Sequence, residues 1–364
     1  FNGTGSDLSS SHDHAAPHTN VASGALRGTW GIEPQYGSAS FQNLPSSYTV
    51  KRGDGGTGAS DLVSSTWVTR EYQICLKCHS DYGYQDNNLY PTGNRPNLGN
   101  SGGGTSPGTN GLTQFTNQAK EFQAPLHHRG QTTTADSGAG VAYSANNHRS
   151  WHPVIASTGR DVLTRTNGNA DISGNWLPPW NGNVGGQTMY CSDCHGNNNT
   201  GVAGPHGSSF NFLLRADWSG ETGSARPSDL CFQCHDYNDY ATEAAEGGDS
   251  GFGRGDNLHG AHVKRIGRIE CTWCHVAVPH GWKNKGLLVN LNDVGPEAGL
   301  PPGTEVPIGA SAEAFTQEPY YLEAKLKVIT FAPSGDWRED NCGSASGASG
   351  VGRDWMKDVC QNPP

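Results

Sequence analysis

The feature that most constrains this chain is a five-residue pattern written four times: Cys75-Leu-Lys-Cys78-His79, Cys191-Ser-Asp-Cys194-His195, Cys231-Phe-Gln-Cys234-His235 and Cys271-Thr-Trp-Cys274-His275. C-x-x-C-H is the attachment pattern of a c-type haem. The two thiols form thioethers to the porphyrin vinyls, and a spacing of two lets one turn present both sulfurs to one ring edge. The next residue then brings its imidazole to the iron. Two zinc sites of four thiolates each would consume the same eight cysteines. Zinc does not require a histidine after every second cysteine, yet one stands there in all four copies. The pattern predicts four covalently bound haem c groups, with His79, His195, His235 and His275 as proximal iron ligands.

Composition agrees that something other than an aliphatic core holds the chain together. Of 364 residues only 33% are hydrophobic, while Gly numbers 51 and Pro 21; mean hydropathy is −0.63. A doubly wound sheet or a helical bundle needs more Leu, Ile and Val. Charged residues are 16%, which does not fit a charge-rich disordered tail. The net charge is −10 with no basic block, which argues against nucleic acid and anionic lipid as partners. No apolar run approaches the length of a membrane span. The expected fold class is a multihaem c-type cytochrome, mostly coil with few short helices and strands, with the haem stack as its core.

Attachment of haem takes place outside the cytoplasm, so the sequence reads as a mature, exported chain whose signal peptide has been removed. Export also permits disulfides. The two remaining cysteines, Cys342 and Cys360, close a short C-terminal loop, and a bond between them is worth about 3 kcal/mol by loop closure. Two free thiols are the alternative.

The chain repeats itself. Pentad two is followed by Pro205-His206-Gly207, five residues and Leu213-Leu214; pentad four is followed by Pro279-His280-Gly281, five residues and Leu287-Leu288. Between pentads one and two lies His148-Arg-Ser-Trp-His152-Pro-Val154, and between three and four lies His259-Gly-Ala-His262-Val263. A two-haem unit therefore occurs twice: pentad, histidine pair ending in Val, pentad, PHG-x5-LL. In chain order this gives an N-terminal segment 1–70 with a His cluster and a first haem region 71–155. A three-haem region 156–290 follows, then a haem-free C-terminal region 291–364 with the disulfide. Residues 83–115 and 129–147 are Gly-, Asn- and Ser-rich without periodicity and read as surface loops. Leu258 to Ile269 reads as a short helix, and Tyr321 to Phe331 as the best strand.

The sixth iron ligands come from what remains. Only Met189 and Met356 offer sulfur, and Met189 sits two residues before Cys191, badly placed to reach the far face of that haem. Eleven histidines remain after the proximal four, enough to make every haem bis-histidine, six-coordinate and without an open iron for substrate. The repeat nominates His152, His206, His262 and His280 first, with His148 and His259 as the weaker members of their pairs. His259 and His262 lie three apart, on one face of a helix. His280 is five residues from His275, cannot wrap its own ring, and must therefore serve another haem. His12, His14 and His18 stand far from any pentad. They are a polar tail, a scavenger of transition metals, or a ligand donated to a haem, including one in a neighbouring subunit.

Pro17 to Asn20 (PHTN), Arg27 to Pro34 (RGTWGIEP), Glu71 to Ser80 (EYQICLKCHS), Trp151 to Val154 (WHPV), Met189 to Gly196 (MYCSDCHG), GPHGS, LCFQCHD and, most specifically, Cys271 to Val306 occur in an order that carries a resemblance. The chain resembles the tetrahaem outer-surface cytochromes of metal-reducing bacteria and related archaeal cytochromes, over nearly its whole length. Members of that group polymerise into extracellular filaments, the cytochrome nanowires. The resemblance implies little secondary structure, bis-histidine haems in a continuous stack, and a haem ligand shared across the subunit interface.

Three functions are weighed. The first is a polymeric, extracellular electron conduit with itself as partner, upstream redox donors and extracellular acceptors. The second is a monomeric periplasmic or surface carrier. The third is a multihaem reductase, which would need an open or lysine-ligated haem; no C-x-x-C-K occurs. Four motifs in 364 residues leave far more polypeptide per haem than a minimal carrier needs, which suits a sheath or an interface.

Overall fold

The computed structural model describes residues 28–36, 47–80 (without 54, 56–58 and 61), 118–122, 128–129, 135–136, 150–155, 158, 173–198, 205–218, 228–243, 250, 252, 257–266, 270–275, 277, 279–282 and 285–288. The N-terminal histidines, His148, the Tyr321–Phe331 segment, loop 83–115 and both C-terminal cysteines lie outside them. The described helices are short: α1 (Glu71–His79), α2 (Gln118–Glu121), α3 (Cys191–Cys194), α4 (Tyr237–Tyr240), α5 (Leu258–Ile266) and α6 (Cys271–Cys274). Among the described residues strands come only as two-stranded ribbons. Among the described residues no helix is long and apolar enough to cross a membrane.

The chain divides into two compact units, Phe1–Leu126 with Trp151–Thr158 and Gln187–Ala216, and His127–Ser150 with Gly159–Gly186 and Asp217–Pro364. The first holds pentads one and two; the second holds pentads three and four. Chain order alone would place pentad two with its successors, but the packing interleaves the segments.

In the first unit β1 (Gly31–Pro34) pairs antiparallel with β2 (Tyr48–Lys51), Ile32 opposite Val50 and Glu33 opposite Thr49. Helix α1 lies on this ribbon. Tyr72 and Leu76, four apart and therefore on one face, are both buried, as is Ile32. The helix starts where Gln73 Oε1 accepts from the backbone N–H groups of Thr69 (2.9 Å) and Arg70 (3.1 Å), a reach-back of the capping-box kind. Lys77 lies in the last turn, where a cation suits the helix dipole. Contact between helix and strand is close: a Cβ on Gly31 would stand 2.8 Å from the Gln73 carbonyl carbon and oxygen. A buried polar knot ties the layers, since Glu33 Oε2 accepts from Tyr72 Oη and from Gln73 Nε2, each at 2.8 Å.

In the second unit α5 begins at Leu258, where the sequence placed it, and runs to Ile266; 267–269 lie outside the described residues. Asn257, fully buried, caps it: its Oδ1 accepts from the N–H of His259 (3.0 Å), and its Nδ2 donates to Asp239 O (2.7 Å). Asp236 caps α4 in the same way by accepting from Asn238 N at 2.7 Å. Asn175 and Leu177 clamp pentad three, through Asp236 N to Asn175 O (2.9 Å) and Leu177 N to Cys234 O (2.8 Å).

Candidate haem-binding site

Each pentad forms one tight turn. In pentads two, three and four the histidine N–H donates to the carbonyl of the first cysteine, at 2.9, 3.0 and 3.0 Å. Two intervening residues thus place both sulfurs on one turn and send the histidine out of its end, as the motif chemistry requires.

The pentads then meet in twos, by the same contact in both units. Cys75 and Cys191, each the first cysteine of its pentad, hydrogen-bond through their thiols, and so do Cys231 and Cys271. Contact with Cys75 and burial push the Cys191 thiol well up; contact with Cys231 does the same to Cys271. Burial alone raises Cys274, to about 11.

The imidazoles pair as well. The rings of His79 and His206 stand 6.2 Å apart with their planes 27° apart, and those of His259 and His275 stand 6.2 Å apart at 19°. With metal–nitrogen bonds of about 2 Å, two imidazoles on opposite sides of one ion place their ring centres roughly 6 Å apart. These pairs have that separation. His206, from the PHG segment after pentad two, faces pentad one. On α5 it is His259, the pair member ranked second from sequence, whose ring meets His275. The His262 ring is stacked on Phe252, with ring centres 5.7 Å apart, while Phe252 also stands edge-on to His259 at 5.1 Å; the His262 Nδ1 is 2.5 Å from Leu258 O. Burial lowers His275 and, with His275 and His262 nearby, holds His259 down to about 3. Both imidazoles are therefore neutral near pH 7, the form that binds metal. Tyr240 stands between pentad three and α5, edge-on to His235 (5.4 Å) and to His259 (5.2 Å).

The PHG-x5-LL repeat forms a loop whose backbone carbonyl meets the histidine of the preceding pentad. His195 Nδ1 lies 2.8 Å from Phe212 O, and His275 Nδ1 lies 2.5 Å from Gly286 O. Each carbonyl belongs to the residue just before the Leu-Leu pair. A hydrogen bond at Nδ1 fixes the tautomer and leaves Nε2 to face a metal. Both loops use the same unusual backbone, with φ of 59° at Phe212 and 55° at Leu213, 62° at Gly286 and 58° at Leu287. Both close onto the first leucine of the pair, by Gly196 N to Leu213 O (2.9 Å) in one and, one residue further on, by Ala277 N to Leu287 O (3.2 Å) in the other.

The sequence singled out the loop but not its task, and gave no sign of Glu71. This buried carboxylate accepts from Ser192 N (2.9 Å) and Ser192 Oγ (2.7 Å). Burial pushes it up, against the pull of both bonds. Asp193 beside it is pushed by burial to about 7. His152 is half-buried next to Pro153, whose carbonyl accepts from Met189 N at 2.9 Å. His280 is half-buried as well. The two imidazole pairs include neither of them, although both stood first among the expected distal ligands.

Paired thiols, imidazole pairs at a metal-spanning distance and Nδ1-bonded proximal histidines fit covalent haem c. Residues 182–239, covering pentads two and three, match a family model described as the doubled CXXCH motif. No curated protein and no solved structure matches the chain. The doubled motif indicates a multihaem c-type cytochrome with covalently bound haem c. That class points to an electron carrier rather than an enzyme.

Proposed function

We propose that this protein carries electrons outside the cell through four bis-histidine haem c groups and polymerises into a filament. The observation that supports this best is the pairing of pentads inside each unit, with imidazole rings 6.2 Å apart in both. The eight pentad cysteines would hold the four haems, whose iron supplies one-electron chemistry. His79 and His206 would ligate the first iron, and His275 and His259 the fourth. The repeat then assigns His280, the PHG histidine of the second unit, to His235. The partner of His195 is one of His148 and His152 or, across a subunit boundary, one of His12, His14 and His18.

In this arrangement the chain does three things. It orients proximal rings through the Phe212 and Gly286 carbonyls, keeps the His259 ring neutral by burial, and brings two attachment turns into contact. Filling every iron position with imidazole leaves electron passage as the task. The filament reading rests on the resemblance to outer-surface cytochromes, on the remote N-terminal histidines and on the large share of polypeptide per haem. The Cys342–Cys360 disulfide belongs to the same exported setting.

Two measurements on native material test this together. A pyridine haemochrome assay should return four haems per chain. Cryo-microscopy should show filaments of the protein. Four haems with only dispersed particles would leave a monomeric surface carrier, and fewer haems would overturn the tetrahaem reading itself.

A further inference from the structure

The two units share their thiol contact but not what surrounds it. In the first, one Glu71 carboxylate oxygen, Cys75 Sγ and Cys191 Sγ all lie within 4.8 Å of one another. Glu71 opens α1, one turn ahead of Cys75. Its two oxygens take separate donors from Ser192, the residue between Cys191 and Asp193: Oε1 takes the N–H at 2.9 Å and Oε2 the Oγ–H at 2.7 Å. One side chain thus grips the backbone and the side chain of the second attachment turn from the first. Only 7% of Glu71 is exposed, so water competes little for these bonds, and hydrogen bonds to a carboxylate are about twice as strong as neutral ones. In the second unit the residue four before Cys231 is Pro227. There Thr272, the counterpart of Ser192, donates instead to Glu270 Oε2 in the residue just before its own turn, at 3.4 Å.

From this asymmetry we infer that Glu71 is a positioning residue for electron transfer, a clasp between the first two attachment turns that fixes the gap and relative angle of the two haems they carry. The inference rests on the tetrahaem reading above. Because each haem is bonded to its turn through two sulfurs, a turn that shifts carries its haem with it. Coupling between neighbouring chromophores depends steeply on separation and angle, so a clasp that sets geometry is visible as coupling. A residue that merely adds stability would lower the melting temperature and leave coupling intact.

The experiment uses the full holoprotein in three variants, Glu71→Ala, Glu71→Gln and Ser192→Ala. Haem per chain is counted first, and the circular-dichroism couplet in the Soret band is then recorded with the reduction potentials of the individual haems. Glu71→Ala should keep four haems, lose the first pair's share of the couplet and narrow the potential splitting between those two haems. Glu71→Gln should restore the couplet, since its oxygen accepts from Ser192 N and its amide reaches Ser192 Oγ. Ser192→Ala should weaken the couplet less than Glu71→Ala, because the N–H bond survives. An unchanged couplet and unchanged potentials in Glu71→Ala would overturn the inference. Should that variant not accumulate, Ser192→Ala decides: a weakened couplet supports the clasp and an unchanged one overturns it. Fewer than four haems in the wild type would instead fault the underlying reading.

Discussion

His206 faces His79 across 6.2 Å, although 127 positions separate them and His206 lies only eleven positions after His195. The segment that follows pentad two thus serves pentad one. In the first unit the loop after the second attachment turn stands against the histidine of the first.

Removing the far ring of such a pair should expose one iron. His206→Ala should convert one haem from low-spin six-coordinate to high-spin, and His259→Ala should do the same at the fourth pentad. His262→Ala should leave every iron six-coordinate, because it is His259 whose ring stands 6.2 Å from His275. Electron paramagnetic resonance of the oxidised proteins reads this as one haem equivalent of high-spin signal or none. A high-spin signal in His262→Ala with none in His259→Ala would reverse the assignment on α5.

The loop before each Leu-Leu pair makes a backbone prediction. Gly286 has φ of 62° and its carbonyl meets His275 Nδ1. Gly286→Ala should cost about 1–2 kcal/mol, because a Cβ disfavours the left-handed region. It should also shift the potential of the fourth haem by disturbing that carbonyl. Phe212, with φ of 59° in the matching position, should behave oppositely, with Phe212→Gly relieving strain while keeping the His195 contact. Thermal melts and redox titration check both. Equal melting temperatures for Gly286→Ala and wild type would count against the strained loop.

Glu33 predicts a pH dependence. Burial raises its carboxyl above the ordinary 4.5, against its bonds from Gln73 and Tyr72 and the charges of Lys51 and Arg70. The folded chain therefore keeps a proton that the unfolded chain has released. Its contribution to stability is full below about 4.5 and is lost as pH rises through the folded value. Glu33→Gln keeps an acceptor for Tyr72 and Gln73 but has no proton to lose. Its stability relative to wild type should rise as pH increases above about 4.5. Denaturant titrations of the holoproteins across that range should show the curves diverging, and parallel curves would contradict the argument.

Assembly should depend on the N-terminal histidines. Replacing His12, His14 and His18 together with Ala should give dispersed monomers with one spectrally altered haem. Wild-type filaments should dissociate in acid, because protons compete with iron for imidazole below the free value of about 6.5. Normal filaments with unchanged spectra from the triple variant would mean that the joint rests on surface complementarity alone.

What the sequence settled by itself is whatever lies close along the chain. Two thiols and an imidazole must share one turn to hold one haem, so the four pentads are readable as text. The PHG-x5-LL repeat is equally readable, since its turn and its Leu-Leu pair are local. Leu258 was legible as a helix start through the periodicity after it. Tertiary structure decided which rings and turns meet. Glu71 and Ser192 are 121 positions apart, and nothing in either neighbourhood announces the other. The repeat put His262 ahead of His259, but they share a helix face, and it is His259, held by Ser250 Oγ at 2.7 Å from its Nδ1, whose ring meets His275 in the folded chain. Attachment chemistry is short-ranged and therefore written in sequence. The facing of imidazoles and the joining of turns depend on packing between distant segments, and only the folded chain determines them.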